Sequence, residues 1–311
     1  MKARLYIWMM AGAITALAAC SGEDSLDTDP KPLDMTPNFI PADNDNSEEA
    51  QIRRDFYNRN KCYLLFNDTL RHEYLGLDFN GDSTYFTELL DIGYDVGANS
   101  NNSSTERYYY QHLNTVENKQ KAVDYLENYI LPHIGDSIQP FSWLLTDKIT
   151  KYTVSTRATT NPYAVSGQRC IAVAVFPLWS IKNETQLASF TRQILIIIIQ
   201  KIVTNNSSKF DDFYLISDRD YNNTFNAEGI TNEENTDLLA QAGFIVRGKS
   251  DSWGTMMNGK YPNRTDDLNS FARQTINRTR EQILTQYADY PKVLQKDSII
   301  RATLTSLGYV Y

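Results

Sequence analysis

The stretch FTRQILIIIIQKIVTN, residues 190–205, decides the fold, because it places four consecutive isoleucines between polar ends. No Gly or Pro occurs between Trp179 and Gly229, and Asn183 followed by Glu184 is a typical helix start. Apolar residues recur at a spacing of three or four positions along the stretch. We therefore predict a helix rather than a β-branched strand, and a helix that is apolar, and hence buried, on nearly all sides.

The segments before this helix predict several strands. The run RCIAVAVFPLW, residues 169–179, is apolar on both faces, which is typical of a central strand. The runs CYLLFND, residues 62–68, and ITKYTVST, residues 149–156, predict two more. The dipeptide Asn80-Gly81 lies between alternating apolar positions and predicts a hairpin with a two-residue turn.

Helices are predicted on both sides of the isoleucine-rich stretch. One precedes it and is stopped by Pro132, and a short one follows it and ends at Gly243. Two more, roughly residues 265–287 and 291–307, close the chain. The predicted fold class is therefore α+β, in a single domain over residues 51–311.

The N-terminus has the pattern of a lipoprotein export signal. Two basic residues, an apolar run and the sequence Leu-Ala-Ala-Cys predict a signal peptide over residues 1–19 and a lipid on Cys20. Residues 20–50 are acidic, Pro-rich and poor in large apolar groups, so we predict a flexible tether. The acyl chains would bind the membrane and leave the remainder in water.

The net charge indicates which partners to expect, and the cysteines raise the question of a disulfide. The chain carries 30 basic and 38 acidic residues, and loss of Lys2 and Arg4 with the signal peptide takes the net charge from −8 to −10. An acidic surface argues against nucleic acid as a partner. Cys62 and Cys170 remain after export, and the sequence leaves open whether they form a disulfide or stay as buried thiols.

The order of these segments resembles the substrate import-associated zinc metallohydrolase lipoproteins, which are encoded beside outer-membrane importers. Their helix reads approximately F-x-H-E-F-x-H-x-L-H-Q, in which two His four residues apart bind Zn²⁺ and the Glu is the general base. The register FTRQILIIIIQ aligns best with that motif. Further resemblances cover most of residues 51–311, in the segments RRDFYNRNKCYLLFND, FDDFYLISDRDYNN, LLAQAGF and TDDLNSFARQTIN.

The resemblance implies a zincin-like metallopeptidase domain, in which a small sheet packs on the former active-site helix ahead of the C-terminal helices. It also implies that the zinc ligands are lost. Arg192 and Ile196 stand at the paired His positions, Gln193 at the Glu, and Ile199 at the third His; Ser270 replaces a later acidic residue. A guanidinium repels a dication, an isoleucine has no lone pair, and an amide takes no proton from water. We expect neither bound zinc nor catalysis.

The resemblance makes a non-catalytic lipoprotein of the outer-membrane surface our first hypothesis. It would hold a glycan or peptide near an importer, or contact a neighbouring lipoprotein as a purely structural partner. The polar loop KSDSWGTMMNGKYPNRTDD predicts a binding region, with Trp253, Asn258 and Tyr261 as candidate contacts. The alternative is an active zinc hydrolase with ligands elsewhere, drawn from the three histidines His72, His112 and His133.

Overall fold

The central feature of the computed structural model is a four-stranded sheet that packs against helices. The structure describes residues 39–90, 106–167, 169–226, 232–248 and 258–311. Their strands, in chain order, are β1 (Tyr63–Leu65), β2 (Thr69–Leu77), β3 (Ser83–Leu89), β4 (Glu106–Gln111), β5 (Ser142–Thr146), β6 (Lys148–Thr153), β7 (Ala158–Thr160), β8 (Ala164–Ser166), β9 (Cys170–Ala174), β10 (Thr224–Asn226) and β11 (Asn258–Lys260).

One helix precedes each of the two early groups of strands, and three helices close the chain. They are α1 (Glu48–Asn60), α2 (Val116–Tyr125), α3 (Glu184–Asn205), α4 (Asp211–Leu215), α5 (Asn232–Gln241), α6 (Arg264–Asn277), α7 (Arg280–Gln286) and α8 (Pro291–Leu307). This confirms the α+β class. The folded part begins earlier than predicted, because Ser47 caps α1 and the ring of Phe39 is 4% exposed, both inside the expected tether.

The four-stranded sheet has the order β1-β5-β9-β8. The first three strands are parallel, and β8 runs antiparallel to β9 at the edge. All five residues of β9 and all five of β5 are buried, which agrees with the predicted central strand and adds one that the sequence analysis did not propose. Helices α1, α2 and α3 bury apolar side chains in the same core cluster as this sheet.

The predicted hairpin is present as β2 and β3, but its turn is longer than expected. The paired residues end at Leu77 and Ser83, so the loop spans residues 78–82 rather than the two residues Asn80-Gly81. The Oδ1 atom of Asp78 accepts hydrogen bonds from the backbone amides of Asn80 and Asp82, which stabilises the longer turn.

Helix α3 is confirmed, and its N-terminus is capped by Asn183, whose side chain accepts from the amide of Gln186. Seven of its 22 residues are buried, so the expectation of burial on nearly all sides is wrong. Gln193 is exposed, and Ile196 and Ile197 are only partly buried, so one stripe faces outward. By length and apolar composition alone α3 is able to span a membrane, but its packing against the sheet marks it as a core helix.

The C-terminal region contains a break that the sequence analysis missed. In place of one helix over residues 265–287, α6 ends at Asn277 and α7 begins at Arg280. Thr279 starts α7 with a capping box, because its hydroxyl accepts from the amide of Gln282 and the Gln282 side chain accepts from the amide of Thr279. Arg278 lies in the break with extended backbone.

The two described cysteines are free thiols. Cys62 and Cys170 are each 3% exposed, and Gln139 donates a hydrogen bond to the Cys62 sulfur at 3.0 Å. Burial raises the pKa of Cys62 to about 11 and that of Cys170 to about 12. Of the two readings left open by the sequence, the structure shows buried thiols.

Candidate functional site

A cavity of about 1060 Å³ lies between α3 and the C-terminal helices. Four arginines reach it from separate parts of the chain, and we call it the arginine-lined cavity. Arg192 comes from α3, Arg278 from the break before α7, Arg280 from the start of α7 and Arg301 from α8. A volume near 1,000 Å³ is at the upper end of the range typical of ligand sites.

Two of the four arginines are held by a carboxylate behind the wall. The side chain of Asp297 is fully buried; it accepts from the guanidinium of Arg280 and from Nε of Arg301, the latter at 3.1 Å. Arg301 also donates to the Arg278 carbonyl at 2.9 Å. These bonds fix the wall and leave it positive, because one carboxylate serves two guanidinium groups.

The other two arginines have no such partner. Within the described part of the chain, the guanidinium groups of Arg192 and Arg278 make no hydrogen bond or ion pair. Among the described residues that line the cavity, Glu184 is the one with a carboxylate side chain. The lining therefore carries a positive excess in a chain whose overall charge is −8.

Aromatic rings and a second cavity border the arginines. Tyr129, Tyr309 and Tyr311 contribute to the lining, and the Arg301 guanidinium lies 5.1 Å from the Tyr311 ring centre. Burial raises the pKa of Tyr311 to about 12, so its hydroxyl remains a donor at neutral pH. An adjoining cavity of about 680 Å³ shares Tyr129 with the first and extends past Trp179, whose side chain is 40% exposed.

A local irregularity positions one of these rings. Helix α2 continues into a π-helical turn, Leu126–Ile130, and then a 3₁₀ turn, Leu131–His133, which agrees with the predicted stop at Pro132. The π turn carries Asn128 and Tyr129, which line both cavities. Insertions of this type occur often at functional sites.

The positions aligned with the metallohydrolase motif separate in space. Arg192 lines the cavity, Gln193 is exposed, Ile196 is partly buried, and Ile199 has no exposed surface and packs with the C-terminal helices. Ser270 donates from its hydroxyl to the Asp267 carbonyl at 2.7 Å, as a serine does inside a helix. These side chains do not fit a zinc ion, since none of the five offers a carboxylate, thiolate or imidazole.

The three histidines lie in three different surroundings. Within the described residues no three His, Cys, Asp or Glu side chains converge on a point where a metal ion could bind. The His72 ring stacks on Tyr85, while His112 lies 3.1 Å from Asp68. His133 lines the cavity with its Nδ1 2.8 Å from the Val310 carbonyl.

The predicted loop contacts are only partly described. Trp253 and the lipidation site Cys20 lie outside the described residues. Asn258 pairs through its backbone with Asn226 in the β10–β11 ladder. The ring of Tyr261 packs 4.6 Å from Phe225, so it belongs to a small aromatic cluster rather than to the arginine-lined cavity.

A second set of charges lies deeper in the same helices. Asp267 of α6 and Lys296 of α8 form an ion pair at 2.7 Å with no exposed side-chain surface, and we call it the buried ion pair. Tyr221 donates to the same carboxylate oxygen at 2.7 Å. The Lys296 ammonium lies within 6 Å of four aromatic rings, of which Phe244 is nearest at 4.4 Å.

The buried ion pair is enclosed and so serves structure rather than ligand binding. Burial raises the pKa of Asp267 and lowers that of Lys296, while their mutual attraction opposes both shifts. Burying two charges is tolerated only when each has a close partner. The pair therefore locks α6 to α8 behind the cavity wall.

Comparison with known proteins gives no relative. None of the protein-family models, curated proteins or solved structures that were searched matches this chain.

Sequence analysis named two residues that line the cavity, Arg192 as a lost ligand position and His133 as an alternative zinc ligand, but it did not predict a binding site there and missed the other three arginines. The missed signal is the capping-box pattern Thr279-x-x-Gln282 inside an otherwise continuous helical segment. That pattern starts a new helix and predicts a break before it. The break is what brings Arg278 and Arg280 to the cavity.

Proposed function

We propose that this protein is a non-catalytic binding protein, anchored to the outer-membrane surface through a lipid on Cys20, that holds a ligand for a neighbouring importer. The observation that carries the proposal is the arginine-lined cavity of about 1060 Å³, with Arg192 in its wall. At the position where the resemblance expects the first zinc ligand, this chain presents a cation to a site large enough for a ligand.

The fold is compatible with descent from a zincin-like metallohydrolase. A mixed sheet with one antiparallel edge strand packs on α3, and the C-terminal helices follow, in the order that the resemblance implies. Along α3, Gln193, Ile196 and Ile199 supply neither a metal ligand nor a general base. In this proposal the helix keeps its structural role and contributes Arg192 to binding.

Metal content tests the proposal most directly. The full chain is purified in mild detergent without chelator, its zinc is quantified by elemental analysis, and hydrolysis of a peptide library is measured. We expect zinc well below one atom per chain and no hydrolysis. One zinc per chain together with chelator-sensitive hydrolysis would overturn the proposal.

Three single variants make that result interpretable. His72→Ala, His112→Ala and His133→Ala each remove one imidazole that the alternative hypothesis requires. If zinc is bound specifically, at least one of these variants loses it, and the active hydrolase becomes the better reading. If all three keep the same trace of metal as the unaltered chain, the metal is adventitious and the binding role stands.

A further inference from the structure

We infer that the arginine-lined cavity binds an acidic oligosaccharide, a chain of sugars that carries carboxylate or sulfate groups. The inference rests on the proposed binding function and assigns its ligand class. It starts from Arg192 and Arg278, which both line this cavity and whose guanidinium groups make no hydrogen bond or ion pair among the described residues.

Unpartnered arginines at one site need an explanation, because like charges repel and the rest of the chain is acidic. The fold neutralises Arg280 and Arg301 with a carboxylate, Asp297, but provides none for the other two. A guanidinium presents parallel N–H donors that match a carboxylate or sulfate group in a bidentate manner. An anionic ligand supplies the missing partner.

The aromatic rings favour a sugar as the carrier of that anion. Tyr129 is 45% exposed and lines both cavities, and Trp179 is 40% exposed at the second. Large flat rings with a polar edge offer the C–H faces of sugars an apolar surface and their hydroxyls a partner. Because the two cavities adjoin, they are together long enough for several sugar units. The acidic group of the oligosaccharide would lie at the arginines.

The walls argue against an acidic peptide. They are formed mainly by α2, α3, α6, α7 and α8, whose amides and carbonyls bond within their own helices except at the helix ends. An extended peptide gains affinity chiefly by pairing its backbone with an open strand edge. No described strand contributes a residue to either cavity.

The inference is tested by calorimetric titration of the full chain in mild detergent. The probes are oligogalacturonates, oligoalginates and sulfated chondroitin oligosaccharides, with maltotriose as neutral sugar and hexaglutamate as acidic peptide. We expect at least one acidic oligosaccharide to bind at least tenfold more tightly than maltotriose and hexaglutamate. Its affinity should fall as salt rises, since ions screen partly exposed charges.

Matched variants locate the binding. Arg192→Gln and Arg278→Gln should each weaken binding about tenfold and their combination about a hundredfold, since each substitution removes one charge-assisted bond to the ligand. Two control variants each remove a cation that does not line the cavity. They are Lys201→Gln on α3, the helix of Arg192, and Arg273→Gln on α6, the helix that ends just before Arg278. The controls should leave binding unchanged.

The failures of the two proposals are distinguishable. Equal binding of maltotriose, tighter binding of hexaglutamate, no binding of any acidic oligosaccharide, or equal losses in the control variants would overturn the inference. Chromatography of the probe after incubation addresses the proposed function separately. An intact probe agrees with binding alone, whereas a cleaved probe would overturn the non-catalytic role while leaving the ligand class in place.

Discussion

The buried ion pair and the arginine-lined cavity use the same helices, α6 and α8, and treat charge in opposite ways. Asp267 and Lys296 have no exposed side-chain surface and oppose each other at 2.7 Å. Arg192 and Arg278 are partly buried, line the cavity and make no ion pair with a carboxylate among the described residues. The fold thus pairs the two charges of the enclosed ion pair and leaves the two arginines of the cavity without a carboxylate, so we expect substitutions in the two places to affect stability differently.

The strongest test of this difference is Asp267→Ala. The substitution leaves the Lys296 ammonium enclosed among aromatic rings without its carboxylate. Breaking a buried pair by removing one partner typically destabilises by about 3–5 kcal/mol. We expect a loss of that size in the free energy of unfolding, measured by denaturant titration.

The double variant Asp267→Leu with Lys296→Met separates pairing from packing. It replaces both charges with apolar groups of similar volume, which is often neutral or stabilising for a buried pair. We expect the double variant to be more stable than Asp267→Ala. If both variants are as stable as the unaltered chain, the ion pair does not lock the helices and the comparison fails.

The elements that local signals specify were predictable from the sequence. Asn183 caps α3 by a bond to a residue three positions away, and the antiparallel pairing of β2 with β3 joins segments that are neighbours in the chain. The central strand β9 is apolar on both faces, which identifies it without knowledge of its neighbours.

The candidate site was not predictable in the same way. Arg192 and Arg278 are 86 positions apart along the chain, and only the packing of α3 against the C-terminal helices brings them to one cavity. Asp267 and Lys296 pair across 29 positions, and in the sequence they are indistinguishable from solvated charges. The longer turn after β2 follows from Asp78, a side-chain acceptor whose effect the Asn80-Gly81 signal concealed.

The next prediction concerns the free energy of unfolding at alkaline pH, where we expect an effect of intermediate size. Burial raises the pKa values of Cys62 to about 11 and Cys170 to about 12, from an ordinary value of 9.0. A group whose pKa is higher in the folded state contributes stability that is complete below its unfolded pKa and is lost as pH rises through the folded value. We therefore expect stability to decline above pH 9, by about 1.4 kcal/mol per pH unit for each thiol.

Tyr221, whose hydroxyl donates to Asp267 of the buried ion pair, should also lower the stability at alkaline pH. Burial, then the charge of Asp267, raises the pKa of Tyr221, so the stability it contributes is lost only above the ordinary tyrosine value of about 10. The guanidinium groups of the cavity stay charged throughout this range. Denaturant titrations at pH 8, 9.5 and 10.5 measure the slope, and Cys170→Ala should make it shallower. Equal stability at all three pH values would contradict the expectation.

The smallest expected effect concerns the unpartnered arginines. Arg192→Gln and Arg278→Gln, alone or together, should change the free energy of unfolding by no more than about 0.5 kcal/mol, because no described group loses a partner. If the free energy of unfolding changes, we expect it to rise at low salt, because the substitutions remove like charges that repel each other across one cavity. Thermal unfolding at two salt concentrations measures both quantities.

Arg280→Gln is the matched control for that measurement, because it removes the same group from the same cavity wall. Arg280 bonds to the enclosed carboxylate of Asp297 and, at 2.5 Å, to the Ser298 hydroxyl, so its loss leaves Arg301 as the remaining cation on that carboxylate. We expect a destabilisation of about 1–2 kcal/mol. A similar loss for Arg192→Gln would show that Arg192 also serves the fold, and the argument that it awaits an anionic ligand would lose its physical basis.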